Sequence, residues 1–176
     1  MEVRAVDGAD LVVELFGRIR ELVHDVVGGL SAEHLSFRPD REANSIAWLV
    51  WHLTRSQDAQ LAEATATAQV WTAEGWVQRF NLPLDAQATG YGQDPQDVAK
   101  VHAPADLLMA YHDAVHARTI DLVSVLHVHD LDHIVDDGCD PPVTLGIRLV
   151  SIIADDLEHL GQAAYVRGLT ERNGGG

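Results

Sequence analysis

Two short segments of the chain each carry a histidine among residues suited to metal binding: Trp48-Leu-Val-Trp-His52-Leu-Thr-Arg55 and Asp155-Asp-Leu-Glu-His159-Leu-Gly-Gln162. Imidazole nitrogens and carboxylate oxygens are ligands for divalent ions such as Zn²⁺ or Ni²⁺. Asp155 and His159 are four residues apart. On an α-helix that is one turn, so both side chains project from one face. An imidazole plus an Asp-x-x-x-His pair supplies three ligands and leaves a position for water or a substrate atom, the pattern of a catalytic rather than a structural site.

On a helical wheel of ~100° per residue with Asp155 at zero, Arg148 falls near +20°, Ser151 near −40°, His159 near +40° and Gln162 near −20°. These five form one polar stripe on an otherwise mainly apolar segment. The bland alternative is a stripe that simply faces water. Its mix of one cation, one acid, one imidazole and one amide lacks the Lys/Glu alternation usual on a solvated face. Arg148 lies two turns, ~10 Å, before Asp155. A guanidinium there is suited to bidentate capture of an anionic group of cofactor or substrate. The competing role for Arg148 is to pair with Asp136 or Asp137 and order a connector.

Other residues offer weaker chemistry. His112 and His116 are also four apart, but the wheel sets them on the edge of an apolar stripe, so they are expected at the boundary or the surface. Cys139, beside Asp140-Pro-Pro, is expected to be a small packing residue. Gly90-Tyr91-Gly92 lacks the strand-then-helix context of a nucleotide fingerprint. Trp71 and Trp76 are expected to seal a bundle end.

The elements that must position these residues are helices. Leu11, Leu15, Ile19, Leu22 and Val26 keep helical spacing from about Gly8 to Val27, where Gly28-Gly29 ends the run. A second helix starts after Asn44 or Ser45, both good N-caps, and continues to about Ala66. A long connector follows, with one short helix expected near Glu74 to Phe80. A third helix runs from near Pro104 to about His127. Another connector leads to Thr144, which caps a fourth helix ending at Gly168. The pattern predicts an all-α, up-and-down four-helix bundle with ordered connectors between helices 2 and 3 and between helices 3 and 4. It spans residues 1–170 as a single domain, with 171–176 as a flexible tail.

Composition narrows the function. With 12 Lys and Arg against 27 Asp and Glu, the formal charge is −15, which argues against neutralising the phosphates of nucleic acid. No run approaches the ~18 apolar residues of a membrane span. A single cysteine and no signal-peptide pattern point to the cytoplasm.

Four segments carry a resemblance to a known family: Asn44-Ser-Ile-Ala-Trp-Leu-Val-Trp-His52-Leu, Gly90-Tyr-Gly92, Pro141-Pro-Val-Thr-Leu-Gly-Ile-Arg-Leu-Val-Ser151 and Asp155-Asp-Leu-Glu-His159-Leu-Gly-Gln-Ala-Ala-Tyr-Val-Arg-Gly168. The chain resembles the DinB-like superfamily of metal-binding four-helix bundles. Within it, the chain is most similar to the actinobacterial branch near mycothiol-dependent enzymes such as maleylpyruvate isomerase. The resemblance implies one metal ligand from the second helix and an i, i+4 pair from the last. His52 and His159 fall on these positions, and Asp155 stands where the isomerases have Glu and other members His. It further implies a low-molecular-weight thiol cofactor such as mycothiol, held on the metal as thiolate and attacking a small electrophile in a transferase or isomerase reaction. The alternatives are a hydrolase with metal-activated water, using Asp156 or Glu158 as base, and a non-enzymatic binding bundle. The expected partners are small molecules, with the chain a monomer or homodimer.

Overall fold

The computed structural model describes residues 8–173. Four long helices form the bundle: α1 (Gly8–Val27), α3 (Ile46–Ala64), α7 (Ala105–Val123) and α8 (Leu145–Asn173). The short helices α2 (Ala32–Ser36), α4 (Val70–Ala73), α5 (Trp76–Phe80) and α6 (Pro95–Val98) lie in the connectors. Both connectors around α7 are ordered, as expected.

Local rules account for several boundaries. Ser45 caps α3 by accepting from the Trp48 backbone N–H at 3.2 Å, and Thr144 accepts from that of Ile147 at 3.3 Å. After α1 the chain turns at Gly29, which has a φ of +76°.

The order of helix directions differs from an up-and-down bundle. A Cβ built on Gly8 or on Gly146 would meet the same residue, Leu131, so α1 and α8 start at the same end. Arg167 reaches the carbonyls of Asp25, Val26 and Gly28, so they also finish together. Against α8, α3 runs the other way: His52 sits beside His159, and Gln60 bonds Arg148. Against α1, α7 also runs the other way: Asp113 bonds Arg20 and His24, while the later His116 and Ile120 lie with the earlier Val13 and Gly17. The topology is therefore up, down, down, up. The reason is the long connector between α3 and α7, which returns along the bundle before α7 begins, a known variant of four-helix topology.

Two other elements depart from the pattern. The second connector forms a short antiparallel hairpin, β1 (Ile134–Asp136) with β2 (Val143–Thr144). Helix α8 continues through Gly168 to Asn173. Its last turns are held by the Arg167 tether, by the Arg167–Glu171 ion pair at 2.8 Å and by the buried Thr170. Glu171 to Asn173 of the expected tail are thus helical, and the rest of that tail lies outside the described residues. No helix among the described residues is long and apolar enough to cross a membrane.

The core runs the length of the bundle, with Phe16, Ile19, Trp51, Tyr111, Leu149 and Ile152 fully buried. Trp71 and Trp76 pack with Phe80 around Tyr111 and close one side of it. His112 corrects the expected boundary position. It has no exposed surface, and neither ring nitrogen has a hydrogen-bond partner among the described residues. His116 is half-buried beside it. Cys139 is exposed rather than packed, with its Sγ 3.7 Å from an Asp136 carboxylate oxygen.

Candidate metal centre

Helices α3 and α8 pack side by side in opposite directions, which brings residues of both to one point. His52 comes from the second turn of α3, and Asp155 and His159 from the middle of α8. One ligand atom from each of these three lies within 4.8 Å of the others. Among the described residues this is the group of acidic and imidazole side chains that could hold an ion. Three ligands at ~2.1 Å from one ion would stand ~3.4 Å apart in tetrahedral geometry, and the trio's bound of 4.8 Å is of that order.

The donor set fits a metal in a second respect. His52 Nδ1 is 2.6 Å from the Thr89 carbonyl oxygen, and His159 Nδ1 is 2.8 Å from the Asp155 carbonyl oxygen. A carbonyl can only accept, so each Nδ1 carries a hydrogen, and in the neutral ring the lone pair is then on Nε2. An imidazole oriented by a carbonyl behind it is the usual arrangement of a metal-bound histidine. Burial lowers the His52 pKa, with the Thr89 carbonyl acting against that shift and the nearby His159 adding to it. The neutral ring, which is the ligand form, is thereby favoured.

The first connector supplies the support. Its segment 86–93 lies on α3, held by Trp71 Nε1 to the Ala86 carbonyl, Arg55 Nε to the Ala88 carbonyl and Trp48 Nε1 to Gln93 Oε1. Trp48 stacks on His52 with ring centroids 4.5 Å apart. Gly90 has a φ of +98°, and a Cβ there would stand 2.5 Å from His52 Nδ1 and 3.1 Å from the Trp48 ring. The glycine is what lets the loop press onto the histidine. Sequence reasoning passed over Thr89 and Gly90 as site residues. The available signal was a Gly-x-Gly with no nucleotide-binding context. We expect Gly90→Ala to weaken binding of Zn²⁺ or Ni²⁺ by about 10- to 100-fold through loss of this support. Titration calorimetry checks it, and an unchanged affinity would remove the loop from the site.

The remaining candidates are placed as follows. Arg148 sits seven residues before Asp155 on α8, donating to Gln60 Oε1 at 3.2 Å and to Asp136 Oδ2 at 3.3 Å. Asp136 is one of the acids expected for it in a connector-ordering role. Asp156 points the other way, into the core, with no exposed surface and both oxygens lacking a hydrogen-bond partner among the described residues. Burial, and then the charge of Asp155, hold its carboxyl well above the usual carboxylate range. Glu158 is exposed on the outside of α8. Neither acid is placed as a base at the trio.

Comparison with known proteins agrees with the superfamily and stops there. The family model of the DinB superfamily matches residues 15–163. No curated protein matches the chain. A crystal structure of a conserved protein from Enterococcus faecalis superposes with a TM-score of 0.86 at 29% identity, covering 93% of this chain and 96% of that one.

Proposed function

The chain belongs to the DinB superfamily, and we propose that it is a divalent-metal protein whose ligands are His52, Asp155 and His159. The carrying observation is that His52, Asp155 and His159 bring one ligand atom each to within 4.8 Å of one another, with both imidazoles oriented at Nδ1 by carbonyls. Zn²⁺ and Ni²⁺ suit this donor set. When bound, such an ion supplies Lewis-acid charge that favours the deprotonated form of a thiol or of water.

Between those two chemistries, the surroundings favour the thiol. A hydrolase needs a base to handle the water proton; of the two acids considered for it, Asp156 is buried in the core, and Glu158 is an exposed residue roughly 100° from His159 on the helical wheel. A small-molecule thiol brings its own nucleophile, and the chain's one cysteine, Cys139, lies beside Asp136 on the second connector and is not one of the trio. The reading is therefore a transferase or isomerase that uses a low-molecular-weight thiol such as mycothiol against a small electrophile. Arg148 would bind an anionic group of that cofactor, exchanging the Asp136 carboxylate for the ligand's.

Elemental analysis of dialysed protein and thiol-dependent turnover of model electrophiles test the reading. Close to one ion per chain is expected for the native protein and none for His159→Ala, with the helical circular dichroism unchanged. Full metal in His159→Ala would remove the site. Asp155→Glu should retain the ion, since the longer acid fills the same role. Metal-bound protein that turns over electrophiles without any thiol would favour the hydrolase. For Arg148→Ala, a several-fold rise in the thiol Kd supports binding. An unchanged Kd with a lower Tm leaves Arg148 as the residue that holds Asp136 and the hairpin.

A further inference from the structure

The three side chains of the trio are held to different degrees. His52 is 6% exposed and is fixed in two ways. Its Nδ1 donates to the Thr89 carbonyl, which sets one point of the ring. The Trp48 indole lies on its face at 4.5 Å and 17°, which sets the plane. Trp48 is itself buried and tied through Nε1 to Gln93 Oε1 at 2.8 Å. His159 donates from Nδ1 to the Asp155 backbone carbonyl, whose place the helix fixes. Its side chain is 15% exposed, with the Trp48 ring 6.3 Å away.

The Asp155 carboxylate has no such support. Its side chain is 34% exposed. Among the described residues no donor bonds it. His159 Nδ1, at 3.6 Å, is beyond hydrogen-bond reach and already donates to the backbone carbonyl of Asp155. Arg148, on the same stripe, has Gln60 and Asp136 as its partners. A helix leaves such a side chain two staggered χ1 wells, and nothing in the surroundings selects one of them for Asp155. One residue thus plays two parts. Its backbone carbonyl orients His159, and its side chain is free to turn.

This difference has an energetic consequence. An unheld side chain must be ordered each time it ligates, at a cost in entropy that the two imidazoles have already met in folding. Asp155 is therefore the weakest holder of the three. Resting on the reading of the trio as a divalent-metal site, we infer that Asp155 is its exchangeable member. The two imidazoles retain the ion, and the carboxylate gives way to a small molecule that carries two adjacent donor atoms. Three protein ligands leave one position on a four-coordinate ion. Withdrawal of Asp155 leaves two, which is what a bidentate ligand requires. Such a ligand enters over Asp155, because His52 and Trp48 are buried and close the α3 side.

Two linked titrations of the full-length protein test the inference, with Co²⁺ as the probe ion and acetohydroxamate as the bidentate probe. Chelator competition gives the Co²⁺ Kd. Asp155→Ala should raise it only about 10-fold, and His52→Ala by about 100-fold or more, with circular dichroism unchanged. The visible absorption of the bound Co²⁺ then follows acetohydroxamate. It should bind Co²⁺-loaded Asp155→Ala about 10-fold more tightly than loaded native protein, because no carboxylate has to leave. Reciprocity requires the loss in Co²⁺ affinity and the gain in acetohydroxamate affinity to match. Asp155→Glu should return both values toward native. Native protein that binds one Co²⁺ but has the same acetohydroxamate affinity as Asp155→Ala keeps the metal site and overturns the exchange. So does Asp155→Ala that loses Co²⁺ as fully as His52→Ala. Native protein that binds no Co²⁺ overturns the exchange and the metal site together.

Discussion

Replacing Asp58 with Ala is expected to cost about 3–5 kcal/mol of folding stability, the usual consequence of breaking a buried charged pair from one side. Asp58 is buried within α3, and its carboxylate has four partners. Oδ1 accepts from the Val70 N–H at 2.8 Å. Oδ2 accepts from the Trp71 N–H at 2.8 Å and the Tyr111 hydroxyl at 2.9 Å, and lies 3.6 Å from Arg55 Nη1. Arg55 has no exposed surface, and its guanidinium stacks over Trp71 at 4.8 Å. Without Asp58 a cation stays buried with no opposing charge, and two backbone donors at the start of α4 lose their acceptors. For a protein with ~5–15 kcal/mol in total this is a large fraction. At ~2–4 °C per kcal/mol the midpoint should fall by about 10 °C.

The substitution should also reach the metal centre. Arg55 Nε holds the Ala88 carbonyl, and Trp71 Nε1 holds the Ala86 carbonyl. These bonds fix the loop whose next carbonyl, that of Thr89, orients His52. Weaker Zn²⁺ or Ni²⁺ binding is expected alongside the lower Tm. The double variant Arg55→Met with Asp58→Leu should lose less than Asp58→Ala alone, since it removes the stranded charge. Urea unfolding of the three variants checks the order. A loss below about 1 kcal/mol in Asp58→Ala would show that Arg55 does not depend on Asp58.

What could be read from the sequence divides along physical lines. Short-range rules placed α1 at Gly8–Val27 and narrowed the cap of α3 to Asn44 or Ser45, of which Ser45 is the cap, because spacing, glycines and cap side chains act within a few residues. The same local rule failed at Gly168, where a long-range tether from Arg167 to the end of α1 holds the last turns of α8 in helix. The direction of α7 was not legible either. It depends on where a long connector delivers the chain, and no periodicity in α7 encodes that. The two-stranded hairpin is too short to leave an alternating pattern. At the candidate site, the nearness of Asp155 to His159 followed from helical geometry alone, whereas His52 was joined to them by residue type and then by the family resemblance, since no local rule brings two helices together. The Thr89 carbonyl could not be foreseen, because it is a backbone atom contributed by a loop.

His112 was misplaced for a related reason, and its burial carries the second large effect. A wheel gave it the edge of a stripe, but α7 is enclosed there by α1 and the half-buried His116. Burial, reinforced by His116, lowers its pKa from 6.5 to about 3. Asp113 opposes this shift, while His24 and Arg20 add to it in a minor way. In the unfolded chain the ring binds a proton below about pH 6.5, and in the native chain only near pH 3. Between those values the unfolded state holds the extra proton, so stability is fully present above about pH 6.5 and falls as the pH is lowered. At ~1.4 kcal/mol per pH unit, roughly 3 kcal/mol is lost by pH 4. His116, whose pKa is also lowered by partial burial, acts in the same direction. Asp156 acts in the opposite one, since its raised pKa makes the native state bind the extra proton. The pH curve of the native protein therefore mixes signs, and a difference isolates His112. In His112→Leu both orphaned ring nitrogens are gone, so stability at pH 7 should stay within about 1 kcal/mol of native or rise. At pH 4 the variant should be the more stable by roughly 3 kcal/mol. Denaturant unfolding at the two pH values measures this, and parallel pH dependences for the two proteins would mean that His112 is protonated in the folded state.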